Sequence, residues 1–127
     1  MSAQTLRLLI GGALFVHGVG HTLGFWKPTG SWILRAVPEP TLRIISSVFW
    51  VVSAIGFIAA AGAFFGILLP AAWWRTIALV MAVVSLVGLV TFFGNWPAFN
   101  TAGAVGMNIA VLVGLLAVNW PPQTLAP

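Results

Sequence analysis

The chain has 127 residues, with five Lys or Arg, one acidic residue and two histidines, for a formal charge of +4. Hydrophobic residues make up 61% of it and charged residues 5%, against about 25% charged in soluble domains, so a water-soluble surface is excluded and lipid must surround most of the protein. The basic residues are scattered, which argues against a nucleic-acid partner, and the lack of cysteine excludes disulfides, thiolate metal sites and thiol redox chemistry within the chain.

The length fits one domain. A helix needs about 20 apolar residues to cross the hydrocarbon, and four segments qualify. The expected fold is all-α: a four-helix transmembrane bundle, up-down-up-down, forming one multi-pass integral membrane domain with spans at about 5–26, 46–69, 71–93 and 100–120. Long uniform apolar runs exclude a barrel, whose strands would alternate apolar and polar residues.

The first segment runs from Thr5 to Trp26 and is stopped by Lys27 and Pro28. It is long enough to span and lacks a small-residue cleavage site, so it reads as the first helix rather than a signal peptide. The longest connection, Lys27 to Thr41, holds Ser31 to Val37, which is expected to form a short interfacial helix before Pro38, Glu39 and Pro40. Glu39 reads as a loop carboxylate pairing with Arg35 or Arg43. The second apolar run extends from Leu42 to Leu69, too long for one upright span, so its start with Arg43, Ser46 and Ser47 is expected to project into the headgroups or to tilt. The third runs from Ala71 to Phe93, ended by Gly94, Asn95, Trp96 and Pro97. That turn reads as a helix breaker with an interfacial tryptophan; lining a ligand entrance is the sharper alternative. The fourth runs from Asn100 to Trp120, ended by Pro121 and Pro122. The short later connections imply antiparallel neighbours.

Small residues let helices approach closely in lipid. Gly20 and Gly24 form one GxxxG pair and Gly62 with Gly66 another. They read as packing within the bundle, or as faces for a homo-oligomer or other membrane subunits.

His17 and His21 are the only histidines. Four residues apart, they project from one face of a helix, about 6 Å apart along its axis. Polar side chains inside a membrane span are expensive and default to a functional hypothesis. Gly18 and Gly20 remove bulk beside them. Polar groups on the other spans form stripes that predict the bundle interior: Trp50 and Ser53 on the second, Met81 and Ser85 on the third, and Asn108 on the fourth, at the depth of His17.

Several readings of this constellation stay open. In the first, it binds a small hydrophobic ligand or redox cofactor, quinone-like or isoprenoid-like, with Trp50, Ser53, Met81, Ser85 and Asn108 as ligand-binding residues. In the second, His17 and His21 are catalytic, serving as general acid and base in a membrane-embedded isomerase or cyclase acting on a lipid-like substrate. In the third, the imidazoles bond neighbouring helices and the chain is a structural subunit without a ligand. A histidine metal or haem site is a further possibility, although Glu39 is the one carboxylate and no metal-ligand set is assigned. The sequence names no particular cofactor. Membrane lipid and a hydrophobic small molecule are the expected partners.

The first helix resembles the DoxX-like family of small four-helix membrane proteins. The resemblance rests on Arg7, Gly11, Gly12, His17 with Gly18, and the ending Gly24 and Phe25. It implies a membrane component associated with quinone-linked or oxidative-stress redox complexes, with Arg7, His17 and Gly18 at the motif positions. Where that family often carries a lysine after the His-Gly pair, this chain has His21, and Lys27 follows later.

Overall fold

The computed structural model describes residues 1–26 and 30–125; the Lys27 and Pro28 stop lies outside the described residues. Four helices carry the fold: α1 (Ala3–Gly20), α2 (Glu39–Phe64), α3 (Trp74–Thr91) and α4 (Ala98–Leu112). A 3-10 segment, His21–Trp26, prolongs α1; another, Ala71–Trp73, leads into α3; a π-helical turn, Val113–Ala117, prolongs α4. With these extensions all four are long and apolar enough to cross a membrane: Ala3–Phe25, Glu39–Phe64, Ala71–Thr91 and Ala98–Ala117. In lipid a helix satisfies its own backbone, which is why apolar runs of this length fold this way.

Helix ends follow local chemistry more closely than hydropathy does. α1 opens where the Ser2 side chain accepts from the Thr5 amide at 3.1 Å, an N-cap bond that satisfies one orphan donor. α2 starts at Glu39, seven residues before the expected limit at 46. Pro40 suits the first turn because it lacks an N–H that would be orphaned there, and Glu39 favours the positive end of the helix dipole. Glu39 also accepts from Arg43 at 2.8 Å, one turn on. α2 stops at Phe64, five residues short of the expected 69. Gly66 takes φ +70°, its amide bonds Ala63 O at 2.9 Å, and Ile67 N bonds Gly62 O at 2.8 Å. This is a Schellman ending, in which a left-handed residue returns the chain to the last carbonyls. Gly66 therefore ends α2, and Gly62 with Gly66 is not a helix-packing pair.

The expected interfacial helix at Ser31–Val37 is absent. Residues 30–38 form bends and a turn, with Val37 N bonding Leu34 O at 3.1 Å. Their side chains are used on α3 instead. Ser31 Oγ donates to Thr91 O and Trp32 Nε1 to Val90 O, both at 2.7 Å. Asn95 donates to Gly30 O at 2.8 Å and accepts from Gly30 N at 3.2 Å. Carbonyls at the end of α3, orphaned by the helix geometry, thus find donors in the connecting segment.

The helices pack in sequence, α1 on α2, α2 on α3 and α3 on α4. The core is made of small residues on facing helices, including Ala60, Ala61 and Ala63 of α2 against Ala78 and Ala82 of α3, filled out by Leu14, Phe57, Phe64 and Trp74. A second cluster gathers Leu42, Trp50, Leu89, Phe92 and Ala104 towards the other end. Outward positions such as Val16, Ile44, Ile55, Phe99 and Leu116 are exposed and apolar. A surface of that kind is matched to acyl chains, not water. The closing seam, α1 against α4, has no extended packed face, and it is where the polar residues meet.

Candidate functional site

A hydrogen-bonded chain of four side chains links three helices and the 3-10 end of α1. His17 Nε2 meets Asn108 Oδ1 at 2.9 Å. Asn108 Nδ2 donates to Ser85 Oγ at 2.7 Å. Ser85 Oγ meets His21 Nε2 at 3.1 Å. Ser85 and Asn108 are fully buried and His21 is 1% exposed, whereas His17 is half-buried.

The direction of this chain follows from what each atom can do. A carbonyl oxygen only accepts, so His17 carries its proton on Nε2 and leaves Nδ1 as a bare acceptor. The Asn108 amide donates to Ser85. The Ser85 hydroxyl, with one proton and two lone pairs, either donates to His21 Nε2 or accepts from it. When Ser85 donates, a neutral His21 keeps its proton on Nδ1. That Nδ1 is buried and has no hydrogen-bond partner. An amide does not relay protons as a hydroxyl or imidazole does, so Asn108 makes the chain an orienting device rather than a wire.

The setting of His21 is aromatic and tightly fixed. Its ring lies nearly parallel to Trp50, with centroids 5.9 Å apart and planes 13° apart. Trp96 stands 5.8 Å from it and 5.1 Å from Trp50. Trp50 is held because Gly24 and Gly88 leave room for its ring: a Cβ at Gly24 would lie 2.5 Å from the Trp50 side chain, and one at Gly88 3.1 Å. His17 meets Phe57 edge to face at 4.4 Å and His21 at 4.9 Å. The Trp96 Nε1 is a second buried ring nitrogen without a partner.

Both histidines and Trp96 line a cavity of about 210 Å³ in the α1–α4 seam, together with Val16, Gly20, Phe99 and Gly103. No charged residue lines it. Gly20 and Gly103 have nothing within 4 Å of where a Cβ would stand, so the space exists because these two positions have no side chains. A larger depression, about 900 Å³, lies elsewhere, on the outer face of α2 beside Glu39, Arg43 and Val48. None of its lining residues carries a buried polar atom without a partner, so it reads as lipid-facing surface.

The residues expected from sequence divide accordingly. His17, His21, Ser85 and Asn108 are brought together, and Trp50 backs them. Ser53 is fully buried with an unpartnered Oγ, and neither joins the chain nor lines the cavity. Met81 packs where Gly56 of α2 makes room for it, away from the cavity wall. Trp96 lines the cavity, as the alternative reading of its turn had it, and Phe99 is a cavity residue that the sequence did not mark. Among the described residues no three His, Cys, Asp or Glu gather in a group that would hold a metal ion. Glu39 is spent on Arg43 at the outer end of α2. No protein-family model, curated protein or solved structure matches this chain.

Proposed function

We propose that this four-pass membrane protein binds a small, uncharged, amphipathic molecule in the α1–α4 seam, through an oxygen atom of the ligand. The observation that carries this is the pair of unpartnered buried ring nitrogens, His21 Nδ1 and Trp96 Nε1, on the residues that wall the cavity. A buried donor without an acceptor costs about 1–3 kcal/mol, and native proteins leave few such groups. A ligand carbonyl or hydroxyl oxygen would accept from such a donor once the ring turned toward the cavity, since both nitrogens are sealed from water in this structure. A Ser85 hydroxyl donating to His21 Nε2 would make Nδ1 the donor, and Trp50 holds the ring in place. The absence of charge from the cavity wall favours a neutral ligand. The likeness of the first helix to the DoxX-like family supports a redox-linked, quinone-like molecule.

The test is extraction and mass spectrometry of protein purified in mild detergent. The wild type should carry a stoichiometric lipid-soluble molecule, retained in the lipid-facing control Val80→Leu and lost in His21→Leu. A folded wild type that carries nothing, and takes up no oxygen-bearing probe, would remove the proposal.

A second reading, turnover of the same ligand, is favoured by one feature. His17 stands beside His21, with ring centroids 4.9 Å apart, and its Nδ1 is free of the bond to Asn108. A neutral imidazole can take a proton, so the pair would supply a base beside a hydrogen-bond donor. Product formation from the extracted molecule, abolished in His17→Asn with binding intact, would decide for it.

A further inference from the structure

The seam holds a second cavity, of about 350 Å³, beyond the His17–Asn108 bond. Its walls come from the same two helices plus α3: Leu6, Leu9 and Leu14 of α1, Ala78 of α3, Met107 and Val111 of α4. Its lining is almost wholly apolar, whereas the first cavity is aromatic and carries the unpartnered ring nitrogens.

We infer that the ligand has two parts: a six-membered ring bearing the oxygen, held in the His21–Trp96 cavity, and a hydrocarbon tail laid along the seam into the second cavity. This rests on the binding reading above and specifies its ligand class. Size supports the division. An apolar cavity of about 150 Å³ accepts benzene, so about 210 Å³ accommodates a ring with an oxygen substituent. At roughly 30 Å³ for each water-sized methylene, about 350 Å³ takes a tail of around a dozen carbons. The ring would lie among Trp96, Phe99 and the two imidazoles, where offset or edge-to-face contacts are favourable.

Between the two cavities the tail would run along the lipid side of the seam, past Val16. His17 and Asn108 close the seam internally, but its outer edge is built of Ala13, Gly20, Gly103 and Gly106. The three glycines have nothing within 4 Å of a Cβ position, and Ala13 is exposed. A chain can lie there in contact with the protein on one side and lipid on the other. The ligand would therefore enter sideways from the bilayer. Between lipid and protein the tail gains no hydrophobic transfer energy, only packing, so its contribution is modest and depends on shape.

The test uses a fluorinated phenol without a tail and the same phenol carrying an alkyl tail of about twelve carbons, each followed by fluorine NMR at equal mole fraction in micelles. Both should bind the wild type, the tailed probe at least tenfold more tightly. Ala110→Trp, at an exposed position on the rim of the second cavity, should erase that tenfold difference and leave the tailless phenol unaffected. Ala13→Phe serves the same purpose from α1. Equal binding of both probes to the wild type would overturn this inference while leaving the oxygen site standing. So would a tail preference that survives Ala110→Trp and Ala13→Phe. Tailed binding undiminished in His21→Leu would show an acyl-chain site independent of the ring site, and would also overturn it. Failure of both probes to bind the folded wild type would overturn the binding reading itself.

Discussion

Two glycines on the first span, two residues apart, should respond in opposite ways to one added methyl group. At Gly18 a Cβ would stand 2.9 Å from Ala54 O and 3.1 Å from Ile58 N. Both are backbone atoms of α2, so neither can turn aside and the helices must part. Overpacking of this kind costs about 1–3 kcal/mol, and replacing glycine in a helix returns up to about 1 kcal/mol. Gly18→Ala should therefore lose about 1–2 kcal/mol. At Gly20 a Cβ meets nothing within 4 Å, so Gly20→Ala keeps the propensity gain, reduced because Gly20 is the last residue of α1. The two variants should differ by about 2 kcal/mol, roughly 30-fold in the unfolding constant. Reversible unfolding in mixed micelles, followed by tryptophan fluorescence at matched detergent composition, measures the difference. A Gly18→Ala protein as stable as Gly20→Ala would refute the close approach of α1 to α2 at this crossing.

Three further outcomes are expected. Asn108→Leu removes two interhelical hydrogen bonds, each worth about 0.6 kcal/mol in a membrane. The same assay should show a loss of about 1–2 kcal/mol, and imidazole nitrogen NMR should show His17 no longer held as the Nε2–H tautomer; an unchanged His17 spectrum would count against the chain of bonds described. Arg75 donates to Leu115 O and Pro121 O at 3.2 Å and to Asn119 Oδ1 at 2.6 Å, capping the π-helical end of α4. Arg75→Met should raise hydrogen exchange over residues 113–120 and leave α1 and α2 protected, whereas uniform deprotection would mean a global role. Gly66→Ala places a Cβ on a residue at φ +70°, a conformation costing about 1–2 kcal/mol for an L-residue, and unfolding should report that loss; no loss would remove the helix ending assigned to Gly66.

Much of the site was legible because lipid enforces a simple rule. A polar side chain within a span must find a partner, and partners lie inside the bundle. That rule placed His21, Ser85 and Asn108 in the interior, and helical spacing put His17 beside them. The same rule could not rank depth around a helix. Ser53 and Met81 lie on helices that face the site, yet Met81 is engaged by Gly56 and Ser53 is sealed in the core. Trp96 was left undecided by its own type. A tryptophan at a span end is commonplace at the membrane interface, and nothing in the residue order tells an indole N–H turned inward from one turned to headgroups. GxxxG spacing misled at Gly62 and Gly66 because it does not reveal whether both glycines are helical. Hydropathy likewise set the start of α2 too late, since Glu39, Pro40 and Arg43 depress the average while serving as good first-turn residues.

The His17–Asn108 bond joins residues 91 positions apart, which imposes an order on synthesis. When the first span enters the bilayer, the residue that will quiet its imidazole has not been translated. Ser85, which accepts its share of that duty for His21, also arrives two helices late. The nascent α1–α2 hairpin thus carries two unsatisfied rings until α3 docks, and His17 remains so until α4 does; a chain stalled before that point would present it to whatever surveys newly inserted proteins.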